Sequence, residues 1–153
     1  MQLKELFKTF DSIILASEVT NNSSSDNQTR TLETERLTLA RVFTHPQREM
    51  WDIIDKGLDT PEWLRGSIYP KKIGEMTIDF TPEGVYLNRI DVSTGKGFGT
   101  ETMKAILDDL NKRGHTAFKT YIENSNHASQ NMVRKLGFKE SETSKEGSYW
   151  VNE

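Results

Sequence analysis

Apolar residues recur along most of the chain with two different periods, and each change of period marks the border of a strand or a helix. Alternation of apolar and polar positions predicts six strands. They cover residues 35–43, 73–80, 85–92, 116–122, 138–140 and 149–151. Apolar steps of three and four residues predict three helices. They cover residues 44–57, 100–113 and 126–136. Strands and helices that follow each other in this way predict a mixed α/β domain.

The helix predicted over residues 44–57 rests on a start signal. Thr44 and Gln47 have the spacing of a capping box, and Pro46 would lie in the first turn. Gly57 supplies the glycine that often follows the end of a helix. The side chains that would face inward are Met50, Ile53 and Ile54.

The N-terminal segment differs from the rest in its pattern. Residues 1–19 have one apolar stripe, which predicts an amphipathic helix. The stripe consists of Leu3, Leu6, Phe7, Phe10, Ile13 and Ile14. Residues 20–31 contain no apolar side chain and predict a flexible linker before a body of residues 32–153. Because a lone helix of this length is marginal in water, we expect it to dock on its own domain, on a partner or on a second copy.

Composition narrows the classes of function. The 153 residues fit one domain, and no apolar run approaches the ~18–20 residues of a membrane span. A net charge of -3 disfavours nucleic acid as a partner. The chain has no cysteine and no clear apolar signal segment, so we expect a cytoplasmic protein without disulfides. His45, His115 and His127 are scattered, so no metal site is expected.

The most informative segment joins the strand 85–92 to the helix 100–113. Three glycines at alternate positions, Gly95, Gly97 and Gly99, permit positive φ values and a close approach to a ligand. The first N–H groups of the following helix point to the same place, which suits a diphosphate. Further donors would be Ser93, Thr94, Lys96 and Thr100. The alternative is a tight turn that binds nothing.

Two common phosphate-binding loops do not fit this segment. A P-loop needs G-x-x-x-x-G-K-[ST], but Lys96 is followed by Gly97, and a dinucleotide fingerprint needs G-x-G-x-x-G rather than G-x-G-x-G. The segment resembles the acyl-CoA loop of the GNAT N-acetyltransferases, [QR]-x-x-G-x-[GA], with Thr94 at the first position. Residues 95–101, GKGFGTE, look like the branch that acetylates N-terminal amines of ribosomal and other proteins.

A second segment resembles the same family. Residues 126–138, NHASQNMVRKLGF, are similar to the signature N-x-x-S-x-x-x-x-x-K-x-G-F, one strand after the glycine loop and its helix. The resemblance implies that Asn126 and Ser129 contact the pantetheine arm or its sulfur, whereas a simple helix N-cap is the alternative for Asn126. Residues 34–37, TERL, resemble the opening strand of the same branch.

This resemblance implies a GNAT-like fold, a central twisted mixed sheet flanked by helices, to which the N-terminal helix is added. In that fold the strands 85–92 and 116–122 splay apart and acetyl-CoA enters between them. The implied cofactor-binding residues are Ile90, Val92, Gly95, Lys96, Gly97, Phe98, Gly99, Thr100, Asn126 and Ser129. Because Leu87 and Ile90 are three residues apart, the strand 85–92 is expected to contain a bulge.

The resemblance also implies direct transfer of the acetyl group to a primary amine in a ternary complex. The N–H near Val92 would stabilise the oxyanion. An α-amine with a pKa of about 7.7–8.0 could react with water as proton acceptor, whereas a lysine with a pKa of about 10.4 would need a base. Asp91 is the first candidate for this base, followed by Glu75 and Asp79, although each could also be a solvated surface charge.

Two residues are candidates for the group that returns a proton to the leaving thiolate. Many family members have a tyrosine at the position of Val133, so Tyr121 or Ser129 would replace it here. This difference, together with Thr94, favours one competing hypothesis, an inactive GNAT-like domain that acts as an interaction module through its N-terminal helix. A nucleotide-binding regulator is disfavoured because both phosphate-loop patterns fail.

The acceptor is expected to be a protein N-terminus or another primary amine. Its pocket would be built from residues 44–65 and 141–148. Trp51, Trp63 and Arg65 are candidates for lining it, although a tryptophan in a small core more often serves packing.

Overall fold

The structure is a computed structural model that describes residues 30–92 and 96–153. The predicted helix 1–19 and the predicted linker up to residue 29 lie outside the described residues, and so do residues 93–95. In the described part the chain forms strands and helices in alternation, which confirms the mixed α/β fold. None of the helices in this part is long and apolar enough to cross a membrane.

Eight strands form a single mixed sheet. They are β1 (Thr31–Glu33), β2 (Leu37–His45), β3 (Arg48–Asp55), β4 (Lys71–Thr81), β5 (Gly84–Val92), β6 (Phe118–Glu123), β7 (Lys139–Thr143) and β8 (Gly147–Asn152). Their order in the sheet is β1-β2-β3-β4-β5-β6-β8-β7. The pair β5–β6 is parallel and the other neighbouring pairs are antiparallel. All six predicted strands are found, with shifted ends.

Three helices accompany the sheet in the described residues. They are α1 (Glu62–Ile68), α2 (Phe98–Lys112) and α3 (His127–Lys135). The helices α2 and α3 confirm the predictions over 100–113 and 126–136. The helix α2 buries an apolar stripe that includes Met103, Ile106, Leu107 and Leu110. The helix α1 was not predicted, because it has no buried residue and therefore no apolar period.

The helix predicted over residues 44–57 is wrong, because most of this segment belongs to a β-hairpin. β2 continues to His45 and β3 starts at Arg48. Pro46, which has no N–H, lies with Gln47 in the turn between them rather than in the first turn of a helix. The side chains that face the core repeat with a period of two. They are Glu49, Trp51 and Ile53.

The core lies between one face of the sheet and the helices α2 and α3. The buried side chains of the central strands, such as those of Ile78 and Leu87, point to this side. We call it the helix face. Their neighbours along the strands, such as Asp79 and Tyr86, point to the other side and remain half-buried or exposed. We call that side the open face.

A buried ion network joins β3 to the residue that follows α2. The Glu49 carboxylate is 4% exposed and accepts hydrogen bonds from both terminal nitrogens of Arg113, at 2.6 and 3.0 Å. It also accepts hydrogen bonds at 3.2 Å from Arg41 Nη1 and from Trp51 Nε1. Burial by itself raises the pKa of Glu49, but the two arginines outweigh burial and hold the pKa below its ordinary value. The charged carboxylate of Glu49 therefore joins the buried Arg41 to the partly exposed Arg113, which also pairs with Asp109 at 3.1 Å.

Candidate active site

The strands β5 and β6 are paired only near their N-terminal ends. Their register contains the pairs Val85↔Phe118 and Tyr86↔Lys119. At the next position the Thr120 hydroxyl donates a hydrogen bond to the Leu87 carbonyl at 2.9 Å. Beyond this point the strands separate, and a cleft of about 640 Å³ lies between β5, β6 and the N-terminal ends of α2 and α3. The structure thus has the splayed strands that the sequence analysis expected.

β5 has a bulge where it borders the cleft. Its register against β4 skips one residue, Asn88, between Leu87 and Arg89. As a result Leu87 and Ile90, although three residues apart, both face buried partners in β4. The bulge expected from this spacing is confirmed.

The cleft is lined by side chains from both faces of the sheet. Alternation along the two strands assigns each lining residue to one face. On the helix face they are Leu87, Ile90, Val92, Thr120 and Ile122. On the open face they are Asn88, Arg89, Asp91, Tyr121 and Glu123. Two molecules that approach from opposite faces can therefore meet in this gap.

The N-terminal end of α2 forms one wall of the cleft. Gly97 precedes the helix with a φ of 76°, a left-handed conformation that favours glycine. The wall consists of Gly97, Phe98, Gly99 and Thr100. The first N–H groups of a helix are free for a ligand and lie at the positive end of its dipole, so this wall suits an anion. The Lys96 ammonium lies 3.9 Å from the Asp59 carboxylate, outside the cleft lining.

The N-terminal end of α3 forms the neighbouring wall. Asn126 is its N-cap, because Asn126 Oδ1 accepts the N–H of Ser129 at 3.1 Å. This confirms the N-cap interpretation of Asn126. Val133 is 1% exposed and also lines the cleft, so an apolar side chain stands where the resemblance implied a tyrosine.

The predicted site residues meet at this cleft with few exceptions. Those that line it are Ile90, Asp91, Val92, Gly97, Phe98, Gly99, Thr100, Tyr121, Asn126 and Ser129. Lys96 does not line it, and Gly95 lies outside the described residues. Glu75 and Asp79 also lie outside the lining and form ion pairs, with Lys72 and Arg48 respectively.

Two of the side chains expected to line the acceptor pocket, Trp51 and Trp63, do not reach the cleft. Trp51 is 1% exposed and belongs to the core, where it bonds to Glu49. Trp63 is 82% exposed on α1 and does not line the cleft. The segment 44–55 contributes strands to the sheet, so it builds no separate helical wall.

Three tyrosines lie beside the gap on the open face, and the sequence analysis did not group them. The rings of Tyr121 and Tyr149 meet edge to face, with centroids 5.2 Å apart. Burial, together with Tyr149 and Asp79 nearby, raises the pKa of Tyr86. The three residues come from three strands and share no local sequence signal.

A chain of polar contacts supports the bulge from the open face. The Arg48 guanidinium bonds to one oxygen of Asp79, and the other oxygen accepts a hydrogen bond from Asn88 Nδ2 at 2.8 Å. Because Asn88 is the extra residue of the bulge, these contacts restrain the backbone of β5 next to the cleft.

Comparisons with known proteins agree with this architecture. Residues 85–151 match the family model described as FR47-like protein. A comparison with curated proteins found no match. The PaiA N-acetyltransferase of Thermoplasma acidophilum, solved in complex with coenzyme A, shares 14% identity at a TM-score of 0.56. That alignment covers 70% of this chain and 61% of the other.

Two further solved structures are similar. A domain from Methanocaldococcus jannaschii shares 18% identity over 71% of this chain and 68% of its own, with a TM-score of 0.57. The ribosomal-protein-S18-alanine N-acetyltransferase of Escherichia coli shares 16% identity over 71% of this chain and 68% of its own, with a TM-score of 0.53. These likenesses show that the fold is that of the GNAT acetyltransferases, as the two sequence motifs implied.

Proposed function

We propose that this protein is an N-acetyltransferase that transfers an acetyl group from acetyl-CoA to a primary amine. The observation that carries the proposal is the gap between β5 and β6, which is lined from both faces of the sheet and borders two helix N-termini. A donor on the helix face and an amine on the open face would be held together there, which is the main requirement of a direct transfer. The FR47-like match over residues 85–151 supports the same class of reaction.

The helix face suits coenzyme A. The N–H groups at the start of α2, from Gly97 to Thr100, would hold the diphosphate. The cleft beyond them has an apolar lining that includes Met132 and Val133, and such a lining suits the pantetheine arm. Asn126 and Ser129 offer the polar groups that the amides of the arm require. When bound, acetyl-CoA supplies the activated acetyl group as a thioester.

Groups of this chain would perform the remaining tasks. The N–H groups of Ile90 and Val92, in the part of β5 that is paired with β4 but no longer with β6, would donate hydrogen bonds to the oxyanion. Asp91 lies on the open face, where the amine would enter, and would accept its proton. Tyr121 on the open face or Ser129 at the start of α3 would return a proton to the thiolate.

The acceptor that these features favour is the N-terminal amine of a protein. Such an amine, with a pKa of about 7.7–8.0, is partly deprotonated near neutral pH, so the exposed Asp91 or water suffices as proton acceptor. Residues 44–55 form a hairpin with a tight turn and not a helix that could cover the open face. This leaves room for a peptide. The likeness of residues 95–101 to the ribosomal-protein branch supports this choice.

One observation favours the competing function, an inactive domain that serves as an interaction module. The buried Val133 cannot protonate a thiolate, so proton return depends on Tyr121 or Ser129. Turnover decides between the two functions.

The test is a thiol-release assay of the purified full chain with acetyl-CoA and synthetic peptides. Peptides with free N-terminal alanine, serine or methionine are compared with the same peptides blocked at the N-terminus and carrying an internal lysine. We expect turnover only with free N-termini, and mass spectrometry should locate the acetyl group on the α-amine. CoA binding without turnover, or absence of CoA binding, would refute the transferase and favour the inactive domain.

Asp79→Ala is expected to lower kcat by about 10–100-fold, because a loosened bulge displaces the N–H groups that face the reacting centre. CoA affinity should stay the same, since α2 and α3 are not touched. Asp52→Ala is the matched control, as it also removes an ion-paired aspartate from the open face of the sheet, on β3, but has no bond to Asn88. Equal kcat values for the two variants would contradict a role for Asp79 in supporting the bulge.

A further inference from the structure

Arg36, at the entry to β2, reaches the loop that precedes α2. Its Nη2 donates a hydrogen bond to the Lys96 carbonyl at 2.7 Å, and its guanidinium lies over the Phe98 ring, 4.6 Å from the centroid. The same nitrogen would be 3.6 Å from a Cβ at Gly97. The backbone of Arg36 is itself fixed, because its carbonyl accepts the N–H of Lys56 at 3.0 Å. One side chain thus connects the sheet to the loop.

The first turn of α2 is attached to the same place. One oxygen of Glu101 lies 3.4 Å from Arg36 Nε, and the other accepts the Thr34 hydroxyl at 2.6 Å. Thr34 Oγ1 in turn accepts the N–H of Leu37 at 3.0 Å. The loop carbonyl and the helix start are therefore both attached to residues 34–37.

The geometry of the peptide group gives these contacts a consequence for the cleft. In a trans peptide the C=O and the following N–H point in opposite directions, and the only cis bond of the described residues is Tyr69–Pro70. By holding the Lys96 carbonyl, Arg36 turns the N–H of Gly97 away from itself. Gly97 lines the cleft, whereas Arg36 does not. The N–H therefore points away from Arg36 at a residue that lines the cleft, where a ligand can accept it.

We propose that Arg36 is a positioning residue for coenzyme A, which fixes the loop peptide at Gly97 without touching the ligand itself. This proposal rests on the function proposed above. Arginine suits the task because its planar group can donate to a carbonyl, pair with a carboxylate and stack on a ring at once. Lysine has the charge but not this geometry.

The experiment compares Arg36→Gln and Arg36→Lys with a matched control, Arg30→Gln. Arg30 pairs with Asp109 near the other end of α2, at 2.9 Å, and its side chain is 27% exposed against 29% for Arg36. Each substitution removes one partly exposed ion pair to the same helix. The readouts are the Kd of CoA by calorimetry, kcat and KM for acetyl-CoA and for S-acetyl-pantetheine, and the urea midpoint.

Arg36→Gln should weaken CoA binding about tenfold, because the diphosphate loses one oriented donor. The KM for acetyl-CoA should rise by the same factor, and kcat should not change. Arg36→Lys should bind CoA as weakly as Arg36→Gln does, and Arg30→Gln should bind CoA like the wild type. Activity with S-acetyl-pantetheine, which has no diphosphate, should be equal in all four proteins. The slope of log Kd against log salt should not change, because no phosphate contact is lost.

Three results would overturn the proposal. An equal loss of affinity in Arg30→Gln would mean that α2 is merely destabilised. Full affinity in Arg36→Lys, or a smaller salt slope in Arg36→Gln, would mean that Arg36 acts as a charge on the phosphates. Wild-type affinity in Arg36→Gln would mean that it has no role. If the wild type itself fails to bind CoA, the function proposed above fails first.

Discussion

Gly97→Glu is expected to abolish CoA binding while the domain remains folded. The new side chain would start on the Arg36 side of the loop, where its carboxylate can draw Arg36 from the Lys96 carbonyl, and it would add a negative charge next to the proposed diphosphate site. Two unit charges about 4 Å apart repel by about 4 kcal/mol at an effective dielectric of 20, which corresponds to roughly a thousandfold loss of affinity. A Cβ at Gly97 has room, since its nearest neighbour, Arg36 Nη2, is 3.6 Å away, but the φ of +76° strains the backbone, so we expect a folded domain with a lower urea midpoint. Calorimetry with CoA and urea unfolding measure the two effects.

Gly114→Glu provides the control for this variant. Gly114 also has a positive φ, +96° against +76° for Gly97, and a Cβ there would have no neighbour within 4 Å. It follows the opposite end of α2, so the variant has the same added charge and a similar backbone strain away from the cleft. CoA affinity should equal that of the wild type. Unchanged affinity in Gly97→Glu would show that the diphosphate is not held at the start of α2.

The elements around the cleft could be predicted because each has its signals within a few residues. α2 has an apolar stripe at helical spacing and a glycine beyond its end. α3 starts at an asparagine N-cap and is followed by Gly137 with a φ of +94°. The bulge at Asn88 left a trace in the spacing of Leu87 and Ile90. Local signals of this kind do not depend on the rest of the fold.

Residues 44–57 show where local signals are insufficient. Ile53 fits a helical pattern with Met50 as well as a strand pattern with Trp51. The strand pattern was obscured because its next inward position is Glu49, a charged residue that normally marks the surface. Glu49 can be buried because Arg41 on the paired strand and Arg113, which follows a helix far along the chain, supply partners for its charge. No local pattern contains that information.

The residues that would bind the cofactor could be predicted from the sequence. The residues that hold the loop and the bulge in place could not. The glycine loop and Asn126 are recognisable as motifs in a continuous stretch of sequence. By contrast, Arg36 meets the loop carbonyl of Lys96 across 60 positions of sequence. The contact of Asp79 with Asn88 needs the pairing of β4 with β5. Such residues become visible only when the sheet is assembled.

Glu49→Ala is expected to destabilise the fold strongly. It removes the acceptor shared by Arg41 and Arg113, so that the buried Arg41 loses this carboxylate while Arg113 keeps its ion pair with Asp109 at 3.1 Å. Breaking a buried ion pair in this way costs about 3–5 kcal/mol. Since domains of this size have a free energy of unfolding of about 5–15 kcal/mol, the variant should unfold at a much lower urea concentration. Glu49→Gln, which keeps the volume of the side chain, should also lower the free energy of unfolding, but by less than Glu49→Ala.

The pH dependence separates the charge of Glu49 from its packing. Because the folded-state pKa of Glu49 is lowered, its contribution is fully present above the unfolded-state pKa, about 4.3, and is lost as the pH falls through the folded-state value. The difference in unfolding free energy between wild type and Glu49→Gln should therefore be large at pH 7 and shrink below pH ~4. Glu33→Ala, which removes an exposed partner of Lys56, is the control and should leave the urea midpoint nearly unchanged. A constant difference between wild type and Glu49→Gln from pH 7 to pH 3 would mean that packing, not charge, makes Glu49 important.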